Sequence, residues 1–600
     1  MLWWLVAIIG LTLPMKQSPP RPSFALTLGV SGHRPSRDPK PGAGEESAGR
    51  EFQADKVRAA IDNFLGVLKE AVDELSESAA GWFDSVPPKL AMVSSLAEGS
   101  DRIAAQAALA IGLPLDVVLP CSRTIYEQTF ADDPSRAEFG ALFDRARARL
   151  ILPLRDEPEA AREAQLAQAY EAAGLTMLAQ ADILIAVWDG EPARGRGGTG
   201  DIVDDAARQG TPVVVIDPSE GAMRLLWPGV GPFALPARRA RDLPAVAVDK
   251  DTLAQIVRGL VLPPQSEHER AGLEMFLTTR AEMGGADGPT RSAVLDVMRA
   301  TPSAASDSNR IAATRLFEGF AAAEQVAQHN ARAFRTAFVC NFFIGAIAAG
   351  FISLSILLND WHHWFVGAEL VFVLGVAFST FWAVHKKWHR RWFEAREVAE
   401  RLRVAETFWM LGVWPHNLTP AQPSWSGWYA RAILRAQPLF SGDLAELLAS
   451  ARQTLAALLE DQRRYHAVNA KRLARLDLGL ELAGMFFLGL SVVNGMAFLF
   501  AKWSASSRLP EWSTLNLALA IVFPAIAAAI YGVRLFGDFE DIVRRSRRTG
   551  HAIQALQPLL DQDSGDLLTL RARAGQAATA MLSDLEAWRV AVESRYLSAA

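Results

Sequence analysis

Three glycine-bearing stretches carry the side chains that could do chemistry. The first is Gly29-Val30-Ser31-Gly32-His33-Arg34-Pro35. Its glycines let a backbone approach a ligand closely, and the Arg34 guanidinium suits bidentate pairing with a phosphate. A tight turn with a surface arginine is the plain alternative. The second is Ser94-Ser95-Leu96-Ala97-Glu98-Gly99-Ser100-Asp101-Arg102. Gly99, Ser100 and the first N–H groups of a helix make a natural anion site, although Ser100 or Asp101 would serve equally as a helix cap. The third is Trp188-Asp189-Gly190, followed by the run Ala193 to Asp201 (ARGRGGTGD). Four glycines within residues 195–200 cost entropy unless the backbone must wrap something. The run lacks the Gly-Lys-Ser/Thr ending of a Walker A loop. Its glycines also follow a late strand, unlike the dinucleotide fingerprint.

The elements that must position these loops alternate in type. Strand-like runs are expected at Phe24–Val30, Lys89–Val93, Leu115–Leu119, Leu150–Leu154, Asp182–Val187 and Pro212–Ile216. Between them lie helical stretches at Phe52–Glu77, Asp101–Gly112, Glu159–Gln180 and Asp201–Gln209. Such alternation implies right-handed crossovers and a doubly wound parallel α/β sheet covered on both faces. Ligands bind such sheets outside the carboxyl ends of the strands, where all three stretches fall.

The chain of 600 residues is 50% hydrophobic and 21% charged, with 61 basic and 66 acidic residues and a net charge of −5. This argues against a disordered protein and gives no basic footprint for nucleic acid. Two cysteines, Cys121 and Cys340, exclude a disulfide scaffold or a cysteine-based zinc module. The first 300 residues are acidic on balance and the last 300 basic.

The second half carries four apolar runs: Thr336–Leu358, Trp364–Val384, Leu478–Ala501 and Leu515–Val533. Each is long enough to cross ~30 Å of hydrocarbon. Together they predict an all-α membrane region of four transmembrane helices in two hairpins. Arg332, Arg335, Lys386, Lys387, Arg390 and Arg391 flank the first pair on one side. Lys471, Arg472, Arg475, Arg534, Arg544, Arg545, Arg547 and Arg548 flank the second, while the turns hold only Lys502 and Arg508. The positive-inside rule then puts both termini in the cytoplasm of a multi-pass protein of the cell (inner) membrane. Trp361, Trp364, Trp382, Trp388, Trp503 and Trp512 lie near the span ends, as in an aromatic belt.

Inside the spans, Glu369 is an expensive carboxylate, Glu481 an interfacial one, and Asn494 a candidate for an interhelical hydrogen bond. Gly345/Ala349 and Ala346/Gly350 are small-xxx-small pairs that favour helix packing. His362-His363 and His385/His389 lack a carboxylate motif, and no metal site or resident cofactor is expected. Leu2–Pro14 is apolar but too short to span. A start at Met15 is favoured over a membrane-resting anchor.

The set GVSGHRP, SSLAEGSDRIAAQAAL and ADILIAVWDG…GRGGTGDIV, over about residues 24–217, resembles the SLOG superfamily. That group includes lonely-guy phosphoribohydrolases, DNA-processing proteins and the sensor domains of melastatin-type channels. The resemblance implies a Rossmann-like fold that binds a nucleotide or nucleotide derivative. It implies a ligand site formed by Gly32, His33, Arg34, Gly99, Ser100, Arg102, Gly197, Gly198, Thr199 and Asp201. Enzymatic members carry PGG-x-GT-x-x-E. Aligning Gly198-Thr199 with that GT sets Ile202 at the glutamate, with Arg194 and Arg196 replacing the proline and second glycine. Asp201 offers a carboxylate only from a shifted frame, so the reading leans away from an enzyme.

The membrane half resembles the SLATT-like modules that accompany SLOG domains in bacterial defence systems. A helical lead-in (Arg310–Arg335) and a charged helix (Trp392–Arg403) carry that likeness. It implies an oligomeric effector that forms a pore or otherwise perturbs the membrane. The expected organisation is an extension (1–23), a SLOG-like domain (24–265), a linker (266–305) and a lead-in with the first hairpin (306–384). A cytoplasmic segment (385–477), the second hairpin (478–533) and a cytoplasmic tail (534–600) follow. The expected function is a membrane-anchored sensor/effector whose partners are a nucleotide-derived small molecule, the lipid bilayer and further copies of itself. A membrane-tethered N-glycosidase-type enzyme and a non-catalytic scaffold stay open as alternatives.

Overall fold

The computed structural model describes residues 18–33, 52–154, 162–193, 195–227, 229, 239–279, 298, 306–413, 424–504, 509–563 and 566–597. Arg34, Arg194 and the apolar segment Leu2–Pro14 lie outside them.

The first part is built from β1 (Ala25–Gly32), α1 (Ala54–Ser78), β2 (Lys89–Ser94), α2 (Ser100–Ala110), β3 (Leu115–Leu119), α3 (Arg123–Glu127) and α4 (Asp133–Arg145). It continues with β4 (Ala148–Ile151), α5 (Arg162–Gln180), β5 (Ile183–Val187), α6 (Thr199–Gln209), β6 (Val213–Ile216), β7 (Met223–Leu226), β8 (Ala245–Val246), α7 (Lys250–Val261) and α8 (Glu267–Thr278). The apolar runs form strands because they lie between helices on a sheet covered on both sides. Every residue of β3, β5 and β6 is buried, the pattern of central parallel strands.

The sheet is mixed, which corrects the all-parallel expectation. Its order is β8-β7-β6-β5-β1-β2-β3-β4-β9. The pairs from β6 to β4 are parallel, whereas β7 and β8 run antiparallel at one edge. The reversal after β6 comes from the turn Asp217-Pro218-Ser219-Glu220-Gly221. The Asp217 carboxylate accepts from the Ser219 and Glu220 amides at 2.8 and 3.0 Å, and Gly221 adopts φ +70°. That chemistry closes a hairpin. β4 also starts earlier than expected and stops at Ile151, so Leu152–Leu154 lie outside it.

The rest is helical: α9 (Asp307–Leu357), α10 (His362–His385), α11 (Trp388–Met410), α12 (Trp425–Arg435), then strand β9 (Gly442–Asp443), α13 (Leu444–Trp503), α14 (Leu509–Gly537), α15 (Phe539–Gln562) and α16 (Leu567–Leu597). Four of these helices are long and apolar enough to cross a membrane. In the second and third only 6% of the apolar window is buried within the chain, so their apolar faces are left for lipid or another chain. The expected lead-in is the first part of α9 itself, one continuous 51-residue helix.

Asn494 does bond across its hairpin. Its amide donates to the Asn516 carbonyl at 3.0 Å, and Asn516 returns bonds to the Asn494 carbonyl and side chain at 2.8 and 2.9 Å. Glu481 pairs with Arg534 at 2.8 Å. The small residues that let helices approach are not those expected. A Cβ at Gly345 or Gly350 would meet nothing within 4 Å. At Gly532 it would strike the Phe342 ring, and at Gly484 it would lie 3.0 Å from the Tyr531 ring.

The sheet and the helical part that carries the long apolar helices share one packed body. β9 adds to the sheet edge beside β4. Asn309, near the start of α9, exchanges bonds with the Ser441 backbone at 2.7 and 3.0 Å. The Tyr429 hydroxyl donates to the Pro20 carbonyl, and the Trp428 indole to the Val261 carbonyl, both at 2.7 Å.

Candidate functional site

β1, β2 and β5 run parallel side by side, so the three sequence-predicted stretches leave the sheet at the same edge. β2, β3 and β4 step away from β1 in one direction, and β5 and β6 in the other. The order therefore reverses between β1 and β5, the place where open sheets of this kind form a ligand crevice outside the carboxyl ends of their strands.

The first two stretches meet there, together with the Trp188-Asp189-Gly190 start of the third. A Cβ on Gly32 would lie 2.5 Å from that of Ser100 and 2.8 Å from that of Val187. Glycine is thus required for the end of β1 to pass between α2 and β5. The Ser100 hydroxyl donates to the His33 carbonyl at 2.9 Å, and the His33 amide donates to the Val187 carbonyl at 3.1 Å. The His33 ring turns toward the loop after β5, with Nε2 2.9 Å from Oδ1 of Asp189. The Asp189 amide also lies 3.3 Å from Nε2, so Asp189 holds this edge of the ring through backbone and side chain and leaves Nδ1 as its other polar atom. His33 and Asp189 side chains are 18% and 11% exposed, so the pair is half-sheltered but reachable.

Gly99 caps α2 with φ +90°, and Leu96, buried ahead of it, has φ +55°. This bent loop is fixed from within. Ser94 Oγ accepts from the Leu96 amide at 3.0 Å, and Asp101 Oδ2 accepts from Ser94 Oγ and the Ala97 amide, each at 3.4 Å. Arg102 faces away from the crevice. It is 2% exposed, donates to the Leu96 and Ser135 carbonyls and Glu138, and lies 4.4 Å over the Phe130 ring. It braces α2 against α4.

The rest of the third stretch forms its own compact turn. Gly197 has φ +72°, and a Cβ there would lie 2.5 Å from the Glu171 backbone of α5. At Gly200 a Cβ would meet the Ala193 amide nitrogen at 2.8 Å. What these glycines wrap is therefore this chain's own helix. The exposed Asp201 carboxylate accepts from the Gly197 amide at 3.1 Å, and the Gly198 amide donates to the Gly195 carbonyl at 3.0 Å. Thr199, at the first position of α6, is buried. Ile202, set where hydrolase members carry glutamate, is 1% exposed and packs on Gly174 of α5. Asp201 thus closes a loop, and no carboxylate stands at the Ile202 position.

Sequence reasoning missed two positioning residues. Asp189, in the Trp188-Asp189-Gly190 stretch, orients His33. Glu98 ties the second loop to the start of α4, accepting from the Ala131 amide at 3.1 Å and the Ser135 hydroxyl at 2.5 Å. An acid directly after a strand that borders β1 was the available signal for Asp189. Comparison with protein-family models, curated proteins and solved structures finds no match.

Proposed function

We propose that the chain is a membrane-anchored sensor/effector whose Rossmann-like sheet binds a nucleotide-derived anion in the crevice between β1 and β5. The observation that carries this is the reversal of strand order there, flanked by the loops after β1, β2 and β5. The N-terminus of α2 offers donors to phosphate, and Nδ1 of His33 a polar atom to base or ribose groups. The SLOG and SLATT likenesses belong to this reading, as do self-association and a defence-type role. The shared packing of β9 and α12 with the sheet supports transmission from ligand to spans. A ligand that binds the active arrangement better than the resting one shifts the population tenfold per ~1.4 kcal/mol of difference.

The test is titration of the full chain in detergent with NAD, ADP-ribose, cyclic ADP-ribose and nucleoside monophosphates, with chromatography of the same samples. Binding without product, weakened about tenfold in His33→Ala, supports the sensor. Silence throughout leaves the scaffold. The His33–Asp189 pair favours a second reading, a membrane-tethered nucleotide hydrolase using His33 as acid or base. Product formation lost in His33→Ala would establish it.

The orientation with both termini in the cytoplasm rests on the basic flanks of the spans. In a chain with Cys121 and Cys340 replaced, Ser504→Cys should label from outside intact cells and Arg548→Cys only after permeabilisation.

A further inference from the structure

At the opposite edge of the sheet a cavity of about 380 Å³ lies between the amino-terminal ends of the strands on one side and Trp409, Val413 and the stretch Arg431 to Leu439 on the other. Thr27, Asp116 and Asp182 line it from the sheet, Gln209 and Thr211 from the end of α6 and its loop, and Arg431 and Arg435 from α12. This is far from the crevice by construction, since strands enter the sheet here and leave it there.

The charges around the cavity do not cancel. Both Asp116 oxygens are held by Arg147, at 2.9 and 2.6 Å, and one also accepts from the Leu439 amide. Asp182 is equally committed. One oxygen accepts from Arg435 at 2.8 Å and the other from the Thr27 amide at 2.9 Å. The remaining reach of Arg435 goes to the Leu260 carbonyl at 2.9 Å. Arg431, one turn earlier on the same face of α12, makes no hydrogen bond or ion pair with any described residue. Burial, with Arg435 alongside, pushes its pKa down to about 10, which still leaves it charged at neutral pH. A sheltered guanidinium has five donors and a fork shaped for carboxylate or phosphate. Arg431 is half-buried and lines the cavity, so its donors stand open to an acceptor there.

We infer that this cavity is a second ligand site, for a small oxyanion held by Arg431. Carboxylate and phosphate share the chemistry the guanidinium reads. Gln209 and Thr211 supply neutral polar groups at the wall, and the volume is at the small end of ligand pockets, suiting an anion no larger than a mononucleotide. The site is independent of the crevice proposed above. It lies where the sheet meets the stretch between the two hairpins, so an occupant clamps the sheet to the helices that lead into the spans.

The experiment is calorimetric titration of the full chain in detergent with inorganic phosphate and citrate, and with ribose as a neutral control. At least one oxyanion should bind while ribose does not, and the phosphate and citrate arms tell which chemistry is preferred. Arg431→Gln should weaken that binding at least tenfold. Arg431→Lys, which keeps the charge but loses the fork, should fall between. His33→Ala should leave it unchanged. If Arg431→Gln does not fold, Gln209→Ala reads the same wall without touching the charge and should weaken binding severalfold. The inference is overturned if no oxyanion binds, which makes Arg431 merely hydrated. It is equally overturned if His33→Ala abolishes the binding, or if the folded Arg431 variants and Gln209→Ala bind as the native chain does.

Discussion

Each hairpin unit begins with a long helix, turns, and returns through a second span. Each then breaks at a left-handed residue, Lys387 at φ +51° in the first and Asp538 at φ +53° in the second. A further helix, α11 or α15, then folds back against the unit's first helix. The plan is the same, and the fate of the last helix differs. Fifteen of the 23 residues of α11 are buried, against five of the 24 in α15. The burial of α11 comes from α12 and the contacts that bind it to the sheet. Attachment to the sheet thus makes core of a helix whose counterpart lies at the surface, charges included.

The largest expected effect tests that conversion. Glu397 and Arg401 are 3% and 2% exposed, pair at 2.8 Å, and Ser426 of α12 donates to Glu397. Glu397→Ala removes a buried carboxylate from the Arg401 guanidinium and should cost about 3–5 kcal/mol. The corresponding change in the second unit, Glu540→Ala beside Arg544, removes a surface pair and should cost no more than about 0.5 kcal/mol. Denaturation of both variants in the same detergent checks the contrast, and equal losses would break it.

The next effect is a pH dependence confined to the first unit. Burial acts to raise the Glu400 pKa, but Arg396 and Arg403 outweigh it and hold the carboxyl below its ordinary value of 4.5. Its contribution is therefore fully present above about pH 4.5 and is lost as pH falls through the lower folded value. Glu400→Gln should flatten the acid limb of a stability-against-pH curve. Glu460 of the second unit, whose bonds to Arg463 and Gln557 bring its pKa down to about 2, is a half-exposed surface group. Its substitution should alter that limb less, and less still in high salt.

Smaller effects sharpen the symmetry. Asn494→Leu breaks the clasp of the second hairpin, and Asn341→Leu removes the 3.1 Å bond to Thr380 in the first. Each should cost about 0.6–1.7 kcal/mol, with the second hairpin losing more because its clasp has three bonds. Smallest of all, Lys387→Gly and Asp538→Gly relieve the left-handed backbone and should each change stability by about 1 kcal/mol or less. A large loss in either would mean that the side chain holds the break.

The central strands were legible because they are apolar on both faces. Leu115–Leu119 was located to the residue, and the other five to within a few. The edges were not. β9 is two residues long, and its partner strand lies almost 300 positions earlier, so no local pattern announces it. The glycine-rich loop was read as a cradle for a ligand, but the space its Cβ atoms would need is taken by Glu171 and by the loop itself. Sequence shows that a backbone approaches closely and not what it approaches. For the same reason Arg102 was placed in the site, whereas its partners on α4 lie some 30 residues away. Arg431 gave no signal, since an arginine on an amphipathic helix is ordinary until its neighbours prove to be already paired.

The clasp between Asn309 and Ser441, the bond from Tyr429 to Pro20, and β9 beside β4 impose an order on synthesis. The first 280 residues leave the ribosome without the strand, helix and hydroxyl that complete them. Those pieces arrive only after the first pair of spans has been made. Contacts of such sequence separation form late. The nascent sheet therefore waits with its β4 edge unpaired until the first apolar hairpin has been made, and closure of that edge joins the two halves.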